Sequence, residues 1–162
     1  MTGMYPSRIH NCRNGNGTFS DHPPLISKLL ADSGYDCGMA GKFHLQSSGQ
    51  RTEPRLDDGY RYWRFSHAPR DDWEEGHHYG AWVKARGGDL DALRTHEDRV
   101  PPELHQTTWV SECALDFIAE DRTPDTPWML TLNPYSPHEP LIPSRVYADQ
   151  FNPADMPGPH FQ

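Results

Sequence analysis

Gly41-Lys42-Phe43-His44-Leu45 and Ser136-Pro137-His138-Glu139-Pro140 each close a hydrophobic run, and each presents cationic or cationisable side chains where that run ends. One lysine and two histidines brought to a point make a receptor for a tetrahedral oxyanion. Lys42 supplies a fixed positive charge, while His44 and His138 donate hydrogen bonds or a proton near neutral pH. Chemistry at that oxyanion then requires elements that bring the two stretches together, and a nucleophile.

The flanking sequence supplies such elements. Asp21 reads as an N-cap with Pro23 and Pro24 in a first turn, followed by one apolar face of Leu25, Ile26, Leu29 and Leu30 and a stop at Gly34. Residues 35–43 then read as a short buried strand. Trp109, Val110, Cys113, Ala114, Phe117 and Ile118 recur at helical spacing, and Trp128-Met129-Leu130-Thr131-Leu132 reads as a second buried strand. Two helix-then-strand units predict an α/β fold with a mostly parallel sheet, whose ligands bind beyond the carboxyl ends of the strands. Lys42, His44 and His138 all fall at such ends. Residues 46–100, rich in charge, Trp, Tyr and Gly with weak helical hints around 80–94, read as an irregular excursion over the surface. The Pro-rich tail at 141–162 shows no clear element.

Composition narrows the function classes. Fifteen basic against twenty-three acidic residues give a net charge of -8, which argues against nucleic acid and against an anionic membrane as partners. An anion site must therefore be a local positive pocket on a negative molecule. Only 35% of residues are hydrophobic, yet aromatics reach 11%, a polar profile that is not that of a disordered chain. Sixteen prolines point to long rigid connections. Cys12, Cys37 and Cys113 form no Cys-x-x-Cys pair and are odd in number, against a disulfide framework or a zinc knuckle. No apolar run reaches membrane-spanning length and no signal-peptide pattern opens at Met1. Compartment, whether cytoplasmic, periplasmic or secreted, stays open.

The two motifs resemble a known family. Residues 41–45 resemble the Gly-Lys-Trp-His-Leu signature of type I sulfatases, the formylglycine-dependent branch of the alkaline-phosphatase-like superfamily. Residues 136–140 resemble that family's second histidine motif. Met1-Thr2-Gly3-Met4-Tyr5-Pro6 resembles the Leu-Thr-Gly-Arg-Tyr-Pro that follows its nucleophile, and Asp58-Gly59-Tyr60 resembles its Gly-Phe-Asp region. The order is right and the likeness runs from residue 1 to about 153. It implies part of a sulfatase catalytic domain over 1–162, acting on a small-molecule or glycan sulfate ester. Lys42 would bind a sulfate oxygen and assist the leaving group; His44 would position and activate the formylglycine hydroxyls; His138 would donate to the sulfate or protonate the departing alkoxide. A divalent cation, usually calcium, would be held by acidic ligands lying off both ends of this chain, so no metal ligand is assigned within it. The Cys/Ser-x-Pro-Ser-Arg nucleophile is expected upstream of Met1. Met4-Tyr5-Pro6-Ser7-Arg8 mimics it, but methionine cannot become formylglycine. The chain by itself is then expected to be inactive.

Asn14 resembles a substrate-contacting asparagine of a sister branch that hydrolyses phosphonate and phosphate esters, an alternative reading alongside a non-catalytic fragment. That branch tends to carry hydroxyl side chains where Lys42 and His44 sit, so these two favour sulfate. His105 is either a helix cap or a substrate contact. His77-His78 lacks a third ligand and reads as surface loop. Asp57-Asp58-Gly59 reads as a structural turn, and Tyr60, Tyr62, Trp63, Phe65 and Trp73 as packing under the excursion.

Overall fold

A computed structural model of the chain describes residues 1–5, 8–9, 22–46, 53–73, 77–95 and 100–160. The elements are α1 (Ile26–Asp32), β1 (Asp36–Gly41), β2 (Tyr62–Phe65), α2 (His78–Ala85), α3 (Leu90–Thr95), α4 (Gln106–Ala119), β3 (Trp128–Asn133) and the single turn α5 (Arg145–Ala148), with 3-10 turns at Pro102–Leu104 and Pro153–Asp155. Three parallel strands form one sheet in the order β2-β1-β3. This is the α/β architecture expected from the two helix-then-strand units.

The period-two alternation of β1 divides the core. Cys37 and Met39 face one side, with Leu25, Phe43, Tyr60, Phe65 and Trp73; Ala40 faces the other, with Tyr62, Tyr79, Val83, Trp109, Val110, Cys113 and Phe117. Burying each large apolar side chain contributes about 1.5–3 kcal/mol. Gly38 lets Phe117 lie flat on the strand, since a Cβ there would sit 2.7 Å from the ring. Tyr60, just before β2, reaches over to Thr131 Oγ1 of β3 at 2.9 Å, and Tyr62 of β2 donates to the Cys113 carbonyl of α4 at 3.0 Å. At the amino end of β1, Asp36 accepts from Arg61 Nε at 2.6 Å and Arg122 Nε at 2.5 Å. Among the described residues no helix is long and apolar enough to cross a membrane.

Several elements differ from the sequence reading. Asp21 lies outside the described residues, and α1 starts after Pro23 and Pro24, with Leu25 at its N-cap and no side-chain cap bond. Leu25 is fully buried, whereas Ile26 and Leu29 are half exposed, so the apolar face is narrower than its spacing suggests. The 46–100 stretch contributes β2, α2 and α3: Tyr62 and Phe65 are buried, and the aromatic content of this region packs against the sheet. β3 forms as expected but as an edge strand, with Trp128 and Leu132 exposed, because β1 is its only strand partner among the described residues. His77 is not on a surface loop. It is 7% exposed and caps α2 by accepting from Gly80 N, while His78 Nδ1 accepts from Phe65 N at 3.0 Å.

Candidate functional site

The carboxyl ends of β1 and β3 lie side by side because Gly41 pairs with Asn133 and Lys42 N donates to Asn133 O at 2.9 Å. Gly41 is required there: its φ is 112°, and a Cβ would fall 2.0 Å from the Asn133 oxygen. The two chains therefore leave the sheet together, one as residues 42–46 and the other as residues 134–140.

Tyr135 joins the two loops. Lys42 Nζ lies 5.1 Å from the centroid of the Tyr135 ring, and the His138 ring lies 5.0 Å from it. His138 N donates to the Tyr135 carbonyl at 3.0 Å, closing a turn, and Nδ1 of His138 donates to the Glu139 carbonyl at 2.7 Å. A carbonyl only accepts, so Nδ1 carries a proton, and Nε2 becomes a donor only when the ring is imidazolium. Behind Tyr135, Gln106 Oε1 accepts from Tyr135 N at 2.9 Å and fixes the exit of β3.

His44 stands on the other flank with φ 51°, an unusual conformation for a residue with a Cβ. Its ring meets that of His67 edge-on at 4.4 Å. Burial pushes the His44 imidazole down to about 4, helped by its neighbours His67, Lys42 and His138 and opposed by Glu53. At neutral pH His44 is thus a neutral imidazole, suited to accept a proton. Burial also pulls the Lys42 ammonium below its ordinary range, and Glu53 opposes the shift.

Glu53, His67, Tyr135 and Gln106 are the residues that sequence reasoning missed. Glu53 is buried and accepts from Leu45 N at 2.7 Å and Gln46 N at 3.3 Å, while its Oε2 faces His67 Nδ1 at 3.5 Å. His67 stacks on Trp73. Only Tyr135 left a trace in the sequence, as the residue immediately before the second motif. Of the other candidates, Asn14 lies outside the described residues. His105 caps α4, its Nδ1 accepting from Thr107 N at 3.2 Å, and it lines a small pocket behind Tyr135 with Gln106 and Ser136. Asp58 is fully buried in the turn expected of it, accepting from Tyr60 N at 2.8 Å and from Arg55. Among the described residues no group of three or more His, Cys, Asp or Glu side chains is placed to hold a metal ion. The described residues thus do not by themselves make a cation site.

The sequence matches the sulfatase family model over residues 1–161. The chain belongs to the sulfatase family. A protein described as an arylsulfatase, from Clostridium perfringens (strain 13 / Type A), is 23% identical over 174 aligned residues, which take in 98% of this chain and 36% of that protein. This sulfatase-family chain therefore spans about a third of the length of that relative. Family membership makes it a hydrolase-type sequence, and its parallel sheet agrees with part of a sulfatase fold.

Proposed function

We propose that this chain carries the anion-binding side of a sulfuric ester hydrolase site, with Lys42, His44 and His138 turned to the sulfate group of a small-molecule or glycan sulfate ester. The observation that carries the reading is the meeting of Lys42 and His138 on one Tyr135 ring, at the ends of adjacent parallel strands. Hydrolysis at sulfur builds charge on the ester oxygen as the S–O bond breaks. A fixed ammonium beside that oxygen stabilises the charge, and an imidazolium can return a proton to the departing alkoxide. Lys42 suits the first role. His138 suits the second, donating from Nε2 while Nδ1 stays on the Glu139 carbonyl. His44, neutral and half-buried, suits proton acceptance from a nucleophile. The family resemblance implies a formylglycine hydrate, which would supply the attacking oxygen, and a divalent cation, which would offset charge on the sulfate oxygens.

Sulfate binding tests the reading. Sodium sulfate added to the chain at constant ionic strength is expected to shift the NMR signals of Lys42, Tyr135 and His138, and Lys42→Ala is expected to weaken binding at least about tenfold, the loss of one charge-assisted hydrogen bond. Sulfate that leaves these signals unmoved, or a methylphosphonate that binds more tightly than sulfate, would overturn it. The 162-residue chain alone is proposed to bind without turnover, so hydrolysis of an aryl sulfate by it would refute that part.

A further inference from the structure

We propose that Glu53 is a positioning residue for the Lys42 and His44 side of the site, its buried carboxylate pinning the loop that bears them and setting the charge they face. The proposal rests on the reading of Lys42 and His44 as anion-site residues.

The Glu53 side chain is only 2% exposed, a burial a carboxylate tolerates when its oxygens find partners. Both face residues of the site, and Oε1 alone is hydrogen-bonded. Oε1 takes the N–H groups of Leu45 and Gln46, the two residues that follow His44, and Oε2 faces His67 at 3.5 Å. His44 holds a left-handed φ of 51°, which persists in a non-glycine residue only where its surroundings fix it. The two N–H bonds on its carboxyl side supply that constraint.

Charge gives the second strand of the argument. Four groups bear on His44: Lys42 from its own loop, His67 from the segment after β2, His138 from the loop after β3, and Glu53. Glu53 is the acid among them. It acts in the same sense on Lys42, favouring the ammonium against burial. A site that must admit an anion thus keeps one carboxylate behind the loop, where it favours the Lys42 ammonium, with Oε1 turned to backbone N–H groups and Oε2 to His67.

Two variants separate anchoring from charge. Glu53→Gln keeps an acceptor oxygen and removes the charge; Glu53→Ala removes both. In Glu53→Ala, hydrogen exchange at Leu45 and Gln46 is expected to speed up by about tenfold or more, the loss of a hydrogen bond to a charged acceptor. In Glu53→Gln these amides are expected to stay protected. In Glu53→Gln, acylation of Lys42 near pH 8, followed by peptide mass spectrometry with Lys28 and Lys84 as references, is expected to run about threefold faster or more, because the charge that favours the ammonium is gone. Unchanged Lys42 acylation in Glu53→Gln, or unchanged exchange in Glu53→Ala, overturns the proposal. In the unaltered chain, a through-hydrogen-bond coupling between the Leu45 nitrogen and the Glu53 carboxylate carbon is expected, and its absence overturns the proposal without any variant having to fold. None of these measurements uses a substrate. A chain that binds no sulfate would therefore sink the functional reading and leave the role of Glu53 to its own data.

Discussion

Gly41→Ala tests how the site is held to the sheet. At φ 112° an alanine is strained by about 1–3 kcal/mol. Its methyl carbon would also meet the Asn133 oxygen at 2.0 Å and the Asn133 carbonyl carbon at 2.6 Å, well inside the 3.4 Å at which contact becomes ordinary. Both obstacles are backbone, so no side-chain rotation relieves them, and the strands must part at their carboxyl ends. The bond from Lys42 N to Asn133 O breaks, at a cost of about 1 kcal/mol. The expected loss is about 2–4 kcal/mol, set against a total stability of about 5–15 kcal/mol for a folded domain. For a chain of this size that lowers Tm by about 5–15 °C. Urea unfolding followed by circular dichroism measures the loss, and NMR shifts confined to residues 41–43 and 132–138 locate it. A change below about 0.5 kcal/mol, the scale of an ordinary surface substitution, would refute the reasoning.

Three further outcomes follow from the packing. Burial pushes His77 down to about 4 from 6.5, so the folded state excludes its proton; the stability this lends is full above pH 6.5 and is lost as the pH falls toward 4. His77→Asn, which keeps an oxygen for the Gly80 N–H, is expected to reduce the fall in urea midpoint between those pH values, and an unaltered slope would count against it. Asp36 is held below the usual carboxylate range first by its bond from Arg61 and then by Arg122, so its contribution is present above pH 3.8 and fades as the pH drops through its lowered value. Asp36→Asn is expected to cost about 1–3 kcal/mol at neutral pH, measured by chemical denaturation, with the deficit shrinking in acid. Phe117→Ala empties the space between Gly38, Tyr62 and the Arg122 guanidinium that lies 4.1 Å over its face. A loss of about 3–5 kcal/mol is expected in the same assay.

The strand-end position of Lys42 and His138 was legible because each follows a short apolar run bounded by turn-forming residues, and that pattern is local. Period and cap chemistry likewise placed α4, with His105 at its start. β2 was hidden: Tyr62-Trp63-Arg64-Phe65 is four residues long, sits among charges, and becomes a strand only by lying against β1. Glu53 carries no sequence signature at all, since what it binds is backbone N–H, and any residue could provide that. The adjacent pair His77-His78 looked solvated because its neighbours are charged; the contacts that bury it come from Trp73, Ser66 and Phe65. For β3, the apolar run announced a buried strand; the strand formed, but an apolar run does not say what covers it, and Trp128 and Leu132 are exposed.

The parallel register of β1 with β3 also has a kinetic side. Asp36 pairs with Trp128 and Gly41 with Asn133, so every rung joins residues far apart in the chain. Closing so long a loop costs entropy before any rung rewards it, which makes this ladder a slow step of folding. Lys42 and His138 have no shared Tyr135 ring until that ladder is complete. A refolding chain therefore acquires the arrangement of Lys42 and His138 on Tyr135 only with this pairing, and under the proposed function the return of sulfate binding would time the closure of the sheet.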